Sequence, residues 1–204
     1  MKTITITGIN NRYQIKKILN PVSTPITKKK YDEIVQKHPT IINMSSQLNI
    51  LNDILNKYNT HPQHTTSKPT ITETNILNEI QLSPIEIVIL NEIKIKRNSY
   101  KSQDIGNKFS INQVISIIDC IELLIKSNNL CYYCNDPCLI FYEHIRYPKQ
   151  WTLDRIDNKI GHNSTNVVIS CLQCNLQRKN KNSDKFLESK QLKLIKLDED
   201  DMLL

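Results

Sequence analysis

Glycine is nearly missing from this chain, with 3 in 204 residues, beside an abundance of Ile, Asn and Lys that reflects coding composition more than function. Long apolar runs are missing as well. No stretch approaches the roughly 18 consecutive apolar residues that a membrane span needs, and the amino-terminal MKTITITGINNRYQIKK lacks the continuous apolar core of a secretory signal. These absences predict an intracellular, non-membrane protein, and no internal repeat points to a solenoid or array. Acidic residues are outnumbered. Lys+Arg 27 against Asp+Glu 20 leaves a net charge of +7 and a pI near 9.0, which favours an anionic partner such as nucleic acid, although a solvated lysine coat accounts for the same number.

What is present is unevenly distributed. Residues 1–70 hold ten Lys/Arg against three acids, so the whole net charge sits at the front. PITKKKYDE in that region either contacts phosphates or is a solvated surface. Met44, Leu48, Leu51, Leu55 and Tyr58 recur at helical spacing and predict a helix over about 41–58. NTHPQHTTSKPTITET, polar and with two prolines, reads as a linker. Ser83-Pro84-Ile85-Glu86 is a helix start, with Ser at the cap, Pro in the first turn and Glu three residues after the cap; this helix is expected to run to about Arg97. A second box, Ser110-Ile111-Asn112-Gln113, predicts another helix carrying the apolar stripe Val114, Ile117, Ile118, Ile121, Leu124 and Ile125, with Cys120 a small buried hydrophobe beside it. The spacing of Ile105, Gly106, Phe109, Ile111, Val114 and Ile118 resembles a helix-turn-helix, yet the 111–126 helix offers few side chains for base edges, which favours a scaffold.

The six cysteines of a chain expected in a reducing compartment are tested against metal binding before disulfides. Cys131-Tyr-Tyr-Cys134 and Cys171-Leu-Gln-Cys174 are two CxxC pairs 36 residues apart. Four such thiolates suit one tetrahedral, structural Zn²⁺. Cys138 is either a substitute ligand or free. The long gap must contain structure of its own: Trp151 and Leu153 predict a short strand leading into a turn at Asp154-Arg155-Ile156-Asp157-Asn158, NVVISC predicts a second strand, and NLQRKNKNSDKFLESK predicts a helix with Arg178, Lys179 and Lys181 near its start. Trp151, Tyr132, Tyr133, Tyr142 and Tyr147 surround this stretch, either as core or as surfaces for base stacking.

From about Cys131 to Lys185, the succession CxxC, LDRIDNKIGH, Asn166 and CLQCN with a basic residue three places on resembles the HNH endonucleases in their zinc-bearing form, and is similar to a phage and viral subgroup. The resemblance implies a ββα-metal domain that hydrolyses phosphodiester bonds, most directly in DNA, with a catalytic Mg²⁺ or Mn²⁺. It implies that Asp154 and Asn175 hold that ion, that Asn166 holds the catalytic loop, and that Arg178 approaches phosphate. Arg155 departs from the family pattern, for it stands where most relatives carry the histidine that activates water. A guanidinium stays protonated and has no acceptor lone pair, so it is suited to clamping phosphate and not to taking a proton. His162 is the leading candidate base, against the alternative of a surface loop histidine. Asp157 is either a further metal ligand or base, or an Asx-turn carboxylate; His144 is expected to be structural.

The expected architecture is therefore α+β: a basic region over 1–70, a helical region over 71–130, a zinc-stapled ββα-metal domain over 131–187 and a charged tail over 188–204. Nucleic-acid contacts are expected from Arg155, Arg178, Lys179 and Lys181. Two other functions fit the same residues: a catalytically inactive nucleic-acid-binding module that has lost its base, and a protein-interaction element using the acidic LDEDDMLL end.

Overall fold

The computed structural model describes residues 32–62, 72–110 and 114–192; the lysines of residues 1–31 and the LDEDDMLL end lie outside these. After α1 (Asp32–Lys37) and a 3-10 turn at Pro39–Ile42, Asn43 caps α2 (Met44–Asn59) by accepting the Ser45 N–H at 3.0 Å. The buried face of α2 runs through Gln47, Ile50, Leu51, Ile54 and Tyr58. It is rotated slightly from the expected stripe: Ile50 and Ile54 are buried, while Leu48 and Leu55 are only half-buried.

Glu73 and Thr74, the end of the segment read as a linker, already belong to a helix, α3 (Glu73–Glu79). Its first residue explains why. Glu73 reaches across to accept the Ile118 N–H at 2.5 Å, a tertiary contact that local polarity does not reveal. The helix α4 (Pro84–Gly106) opens on the expected capping box, with Ser83 N–H donating to Glu86 Oε2 at 2.6 Å and Glu86 N–H to Ser83 Oγ at 3.4 Å. It does not stop near Arg97. No breaker intervenes before Gly106, and the added turns are held by tertiary partners of Tyr100 and Asp104 described below.

The expected helix over 111–126 is a shorter one, α5 (Ile117–Lys126). Residues 111–113 lie outside the described segments, but a different box starts the helix: Ser116 Oγ accepts the Asp119 N–H at 3.0 Å, and Asp119 returns the bond. Ile115 is drawn away from helical pairing because its N–H donates to His162 O at 2.7 Å and its carbonyl accepts from Arg97 Nε at 2.8 Å. Ile117, Ile118, Cys120, Ile121 and Leu124 are buried against α2 and α4. α5 is a core scaffold.

The remainder is a two-stranded antiparallel sheet followed by two short helices. β1 (Trp151–Arg155) pairs with β2 (Val167–Cys171) in the register Trp151↔Cys171 to Arg155↔Val167. The single helix expected after Cys174 is two helices. α6 (Leu172–Arg178) starts earlier, on Cys171 as its cap, and ends where Lys179 adopts a φ of 52°; Asn182 then caps α7 (Ser183–Gln191). Asn180, Lys181 and Asn182 form that break, since asparagine tolerates turns and caps better than helix interiors.

One buried cluster runs from Ile41 to Phe186 and joins the helices to the hairpin. Gln47, fully buried, is its polar rivet: Nε2 donates to Ile41 O (2.7 Å) and Phe141 O (3.0 Å), and Oε1 accepts from Ile140 N–H (2.7 Å) and Phe141 N–H (3.2 Å). Among the described residues no helix is long and apolar enough to cross a membrane. Replacing Gln47 by Ala strands these four buried backbone groups, each of which costs about 1–3 kcal/mol without a partner. Urea unfolding of Gln47→Ala is expected to show a loss of at least about 3 kcal/mol, and a loss below about 1 kcal/mol would show that the rivet is dispensable.

Candidate metal centre and adjoining cleft

The first cysteine pair sits in a tight reversal of the chain. Leu130 bridges Pro137, Asn135 takes a φ of 56°, and the Cys131 N–H donates to Asp136 O at 2.9 Å. This knuckle is tied to the sheet because the Tyr132 N–H donates to Ile169 O at 2.8 Å. The second pair sits where β2 becomes α6. Cys171 is at once the last residue of β2 and the cap of α6, its sulfur accepting the Cys174 N–H at 3.4 Å.

The four sulfurs of Cys131, Cys134, Cys171 and Cys174 lie within 4.8 Å of one another, with Cys134 and Cys171 at 3.9 Å. Zinc–sulfur bonds of about 2.3 Å in a tetrahedron place sulfurs about 3.8 Å apart, so the cluster could hold a structural ion such as zinc. The sulfurs by themselves disfavour more than one charge. Cys131 is held low because Cys138 and Cys171 donate S–H groups to it, whereas burial pushes Cys134 up to about 12 and lifts Cys174, and the bond to Cys131 lifts Cys171. A divalent cation reverses this balance by stabilising all four thiolates together. Cys138 is fully buried, stands outside the four-sulfur group and donates its S–H also to Asp136 O at 4.0 Å.

Tyr133, between the two knuckle cysteines, links this centre to the hairpin. Its ring is fully buried, edge-on to Phe186 with centroids 4.9 Å apart, and its hydroxyl donates to Asp154 Oδ2 at 2.7 Å. The other oxygen, Oδ1, accepts from Arg178 Nη1 at 2.8 Å. Burial raises the Asp154 pKa, and the bonds from Tyr133 and Arg178 oppose that rise. Arg178, expected beside phosphate, is instead 1% exposed and also donates through Nη2 to Ile156 O at 2.8 Å. It braces Asp154 from behind.

A cleft of about 290 Å³ opens between the hairpin, α6 and the last turns of α4, lined among others by Asp154, Arg155, His162, Asn175 and Lys179. Asn175, which lines the cleft, donates through Nδ2 to Thr152 Oγ1 (3.2 Å) and Leu153 O (3.4 Å), and its Oδ1 is an acceptor oxygen that could ligate a cation. Arg155 lies over the Phe109 ring at 5.6 Å, and its Nη1 is buried with no hydrogen-bond partner among the described residues.

The loop between the strands is held by Asn166. Its Oδ1 accepts the Asp157 N–H at 2.9 Å, and its Nδ2 donates to the carbonyls of Asp157 (2.9 Å), Gly161 (3.1 Å) and Ile160 (3.3 Å). Asp157 is exposed, does not line the cleft, and accepts the Lys159 N–H at 2.9 Å, the geometry of an Asx turn. Lys181 is exposed and sits over Phe186, away from the cleft, and His144 does not line it either. Trp151, Tyr133 and Tyr142 are buried in the core, whereas Tyr132 is exposed.

His162 is only 3% exposed, so it is no surface histidine. Burial lowers its pKa, and the hydrogen bond that its Nδ1 makes to the Asp104 carboxylate at 2.7 Å opposes the fall. Asp104, Tyr100 and Tyr133 are the site residues missed by sequence reasoning. Helical periodicity could have placed Tyr100 and Asp104 on one face of α4, since they lie four residues apart, but only if the helix were carried past Arg97.

Zinc in this cluster would contribute several kcal/mol directly to folding. Purified protein is expected to hold one zinc per chain by elemental analysis, and stripping it is expected to lower the melting temperature by roughly 10 °C or more; a zinc-free protein that melts at the same temperature would remove the cluster's structural role. Comparison with known proteins leaves the geometry to speak by itself, since no family model, no curated protein and no solved structure matches the chain.

Proposed function

We propose that this chain is a metal-dependent endonuclease, acting most directly on DNA, with an HNH-like ββα-metal site. The observation that carries the reading is the convergence of Asp154, Arg155, His162 and Asn175 on one cleft, although β1, the loop after it and α6 supply them separately. The order of strand, strand and helix beside a four-cysteine cluster supports the same reading. So does the net charge of +7, which suits a polyanionic substrate.

The donor set fits a hard divalent ion. Asp154 keeps a free lone pair on each oxygen after its bonds to Tyr133 and Arg178, and Asn175 offers Oδ1. Oxygen donors of this kind suit Mg²⁺ or Mn²⁺, which when bound would stabilise charge on the phosphate. The chain's own residues carry the rest of the chemistry. Arg155, propped on Phe109, holds a phosphate oxygen through its unpartnered Nη1. His162 accepts the proton of the attacking water, the role that Arg155 cannot fill. Lys179, exposed at the rim, adds positive charge for the flanking backbone.

A second reading, a nucleic-acid-binding module without activity, is favoured by the same Asp154, because a carboxylate 6% exposed and paired with Arg178 is partly neutralised before any metal arrives. One assay separates the two. On supercoiled plasmid the wild type is expected to nick or linearise with Mg²⁺ or Mn²⁺ and not with chelator, and Asp154→Ala at equal zinc content is expected to lose at least about 100-fold in rate. Cleavage that persists after complete removal of divalent ions would overturn the mechanism, and tight binding without scission on duplex, branched and single-stranded substrates would favour the inactive module.

A further inference from the structure

We infer that Asp104, on α4 and outside the cysteine-flanked segment, is the positioning residue that makes His162 a base; the inference rests on the endonuclease reading above. The carboxylate of Asp104 is fully buried and grips His162 twice. Its Oδ2 accepts the His162 backbone N–H at 2.7 Å, and its Oδ1 meets His162 Nδ1 at 2.7 Å. One bond fixes where the residue sits, and the other fixes the ring.

Two further contacts hold the imidazole. The Tyr100 ring lies against it with centroids 4.6 Å apart, and the Ile115 N–H donates to the His162 carbonyl at 2.7 Å. Gly161 makes the grip possible. A Cβ at that position would lie 2.9 Å from Asp104 Oδ2 and 3.2 Å from the Phe109 Cβ, so only glycine lets the loop approach α4 this closely.

The chemical consequence follows from donor counting. A carboxylate only accepts hydrogen bonds, so the neutral ring facing Asp104 carries its proton on Nδ1, and Nε2 is left with a lone pair. His162 lines the cleft shared with Asp154, Arg155 and Asn175, which gives that lone pair a place to act. In the hydrolysis, Nε2 takes a proton from water as the water oxygen bonds to phosphorus. The bond from phosphorus to the leaving oxygen breaks with its electron pair, solvent protonates that oxygen, and the imidazolium, stabilised by Asp104, returns its proton to solvent. A purely structural staple between loop and α4 would hold the same tautomer, so the two roles part at kcat: only a positioning role ties kcat, with fold and KM kept, to the Asp104 carboxylate.

Nitrogen NMR of zinc-loaded full-length protein labelled with ¹⁵N-histidine, with the His162 signals assigned by difference from His162→Gln, reads the tautomer without reference to activity. The wild type is expected to hold neutral His162 in the Nδ1–H form. Asp104→Asn is expected to lose that preference and to lower kcat by about 10²–10⁴-fold on the nucleic acid that the wild type cleaves, with KM and zinc content unchanged. An Nε2–H tautomer in the wild type overturns the inference even if the Asp104→Asn protein fails to fold, and full kcat in a folded Asp104→Asn protein overturns it while leaving the endonuclease reading intact. A wild type that cleaves no nucleic acid removes the endonuclease reading and this inference with it.

Discussion

Closure of the four-cysteine cluster is the constraint on which the rest of the C-terminal half depends. Cys171 shows why, because one residue ends β2, caps α6, contributes a sulfur to the cluster and pairs with Trp151 across the sheet. Bringing Cys131 and Cys134 to that junction carries Tyr133 inward, and Tyr133 then holds one oxygen of Asp154. The cluster and the cleft are therefore coupled through Tyr133, and also through α6, which carries Cys174 beside Asn175. A short two-stranded sheet is marginal by itself in water, so the hairpin depends on this cluster at one end and on α4 along its edge.

The environment of Asp154 shows a balance of opposing costs. Burying a carboxylate is unfavourable, and the ion pair with Arg178 offsets that only with good geometry and satisfied lone pairs. Both oxygens are hydrogen-bonded, one to Arg178 and one to Tyr133, so the group is held in place while desolvation still raises its pKa. Arg178 in turn spans from Asp154 to the Ile156 carbonyl, so it fixes the exit of β1 as well as the carboxylate. Arg155 and Arg178 each keep one buried nitrogen without a partner among the described residues, Nη1 and Nε respectively, but only Arg155 lines the cleft.

The helical and cysteine-bearing parts share one cleft. α4 runs past Arg97 so that the Tyr100 hydroxyl accepts the Leu153 N–H at 3.1 Å on the open edge of β1, and Asp104 reaches His162 one turn later. Lys96, on the same helix, donates to Gln150 Oε1 and the Trp151 carbonyl at the start of β1. The hairpin is thus braced along its length by one helix, which makes α4 part of the site and more than a support for it.

Local signals in the sequence determined a good deal. The Ser83 capping box, the two strands around Leu153 and Ile169 and the pairing of the CxxC motifs all depend on residues close together in the chain, or on a chemistry that a fixed spacing discloses, whereas the loop-holding place of Asn166 came from the resemblance alone. Where the sequence misled, a distant partner had decided the matter. Glu73 left its polar linker to bond Ile118, the start of α5 moved to Ser116 once Ile115 was claimed by His162 and Arg97, and Arg178 turned inward because Asp154 needed a counter-charge when buried. The pairing of Asp104 with His162 spans 58 residues, and no periodicity or motif records it. Residue chemistry and spacing therefore specified the two strands, several helix starts and the four-cysteine cluster, while burial, which only the packed chain imposes, decided which charged side chains line the cleft and which are spent holding it together.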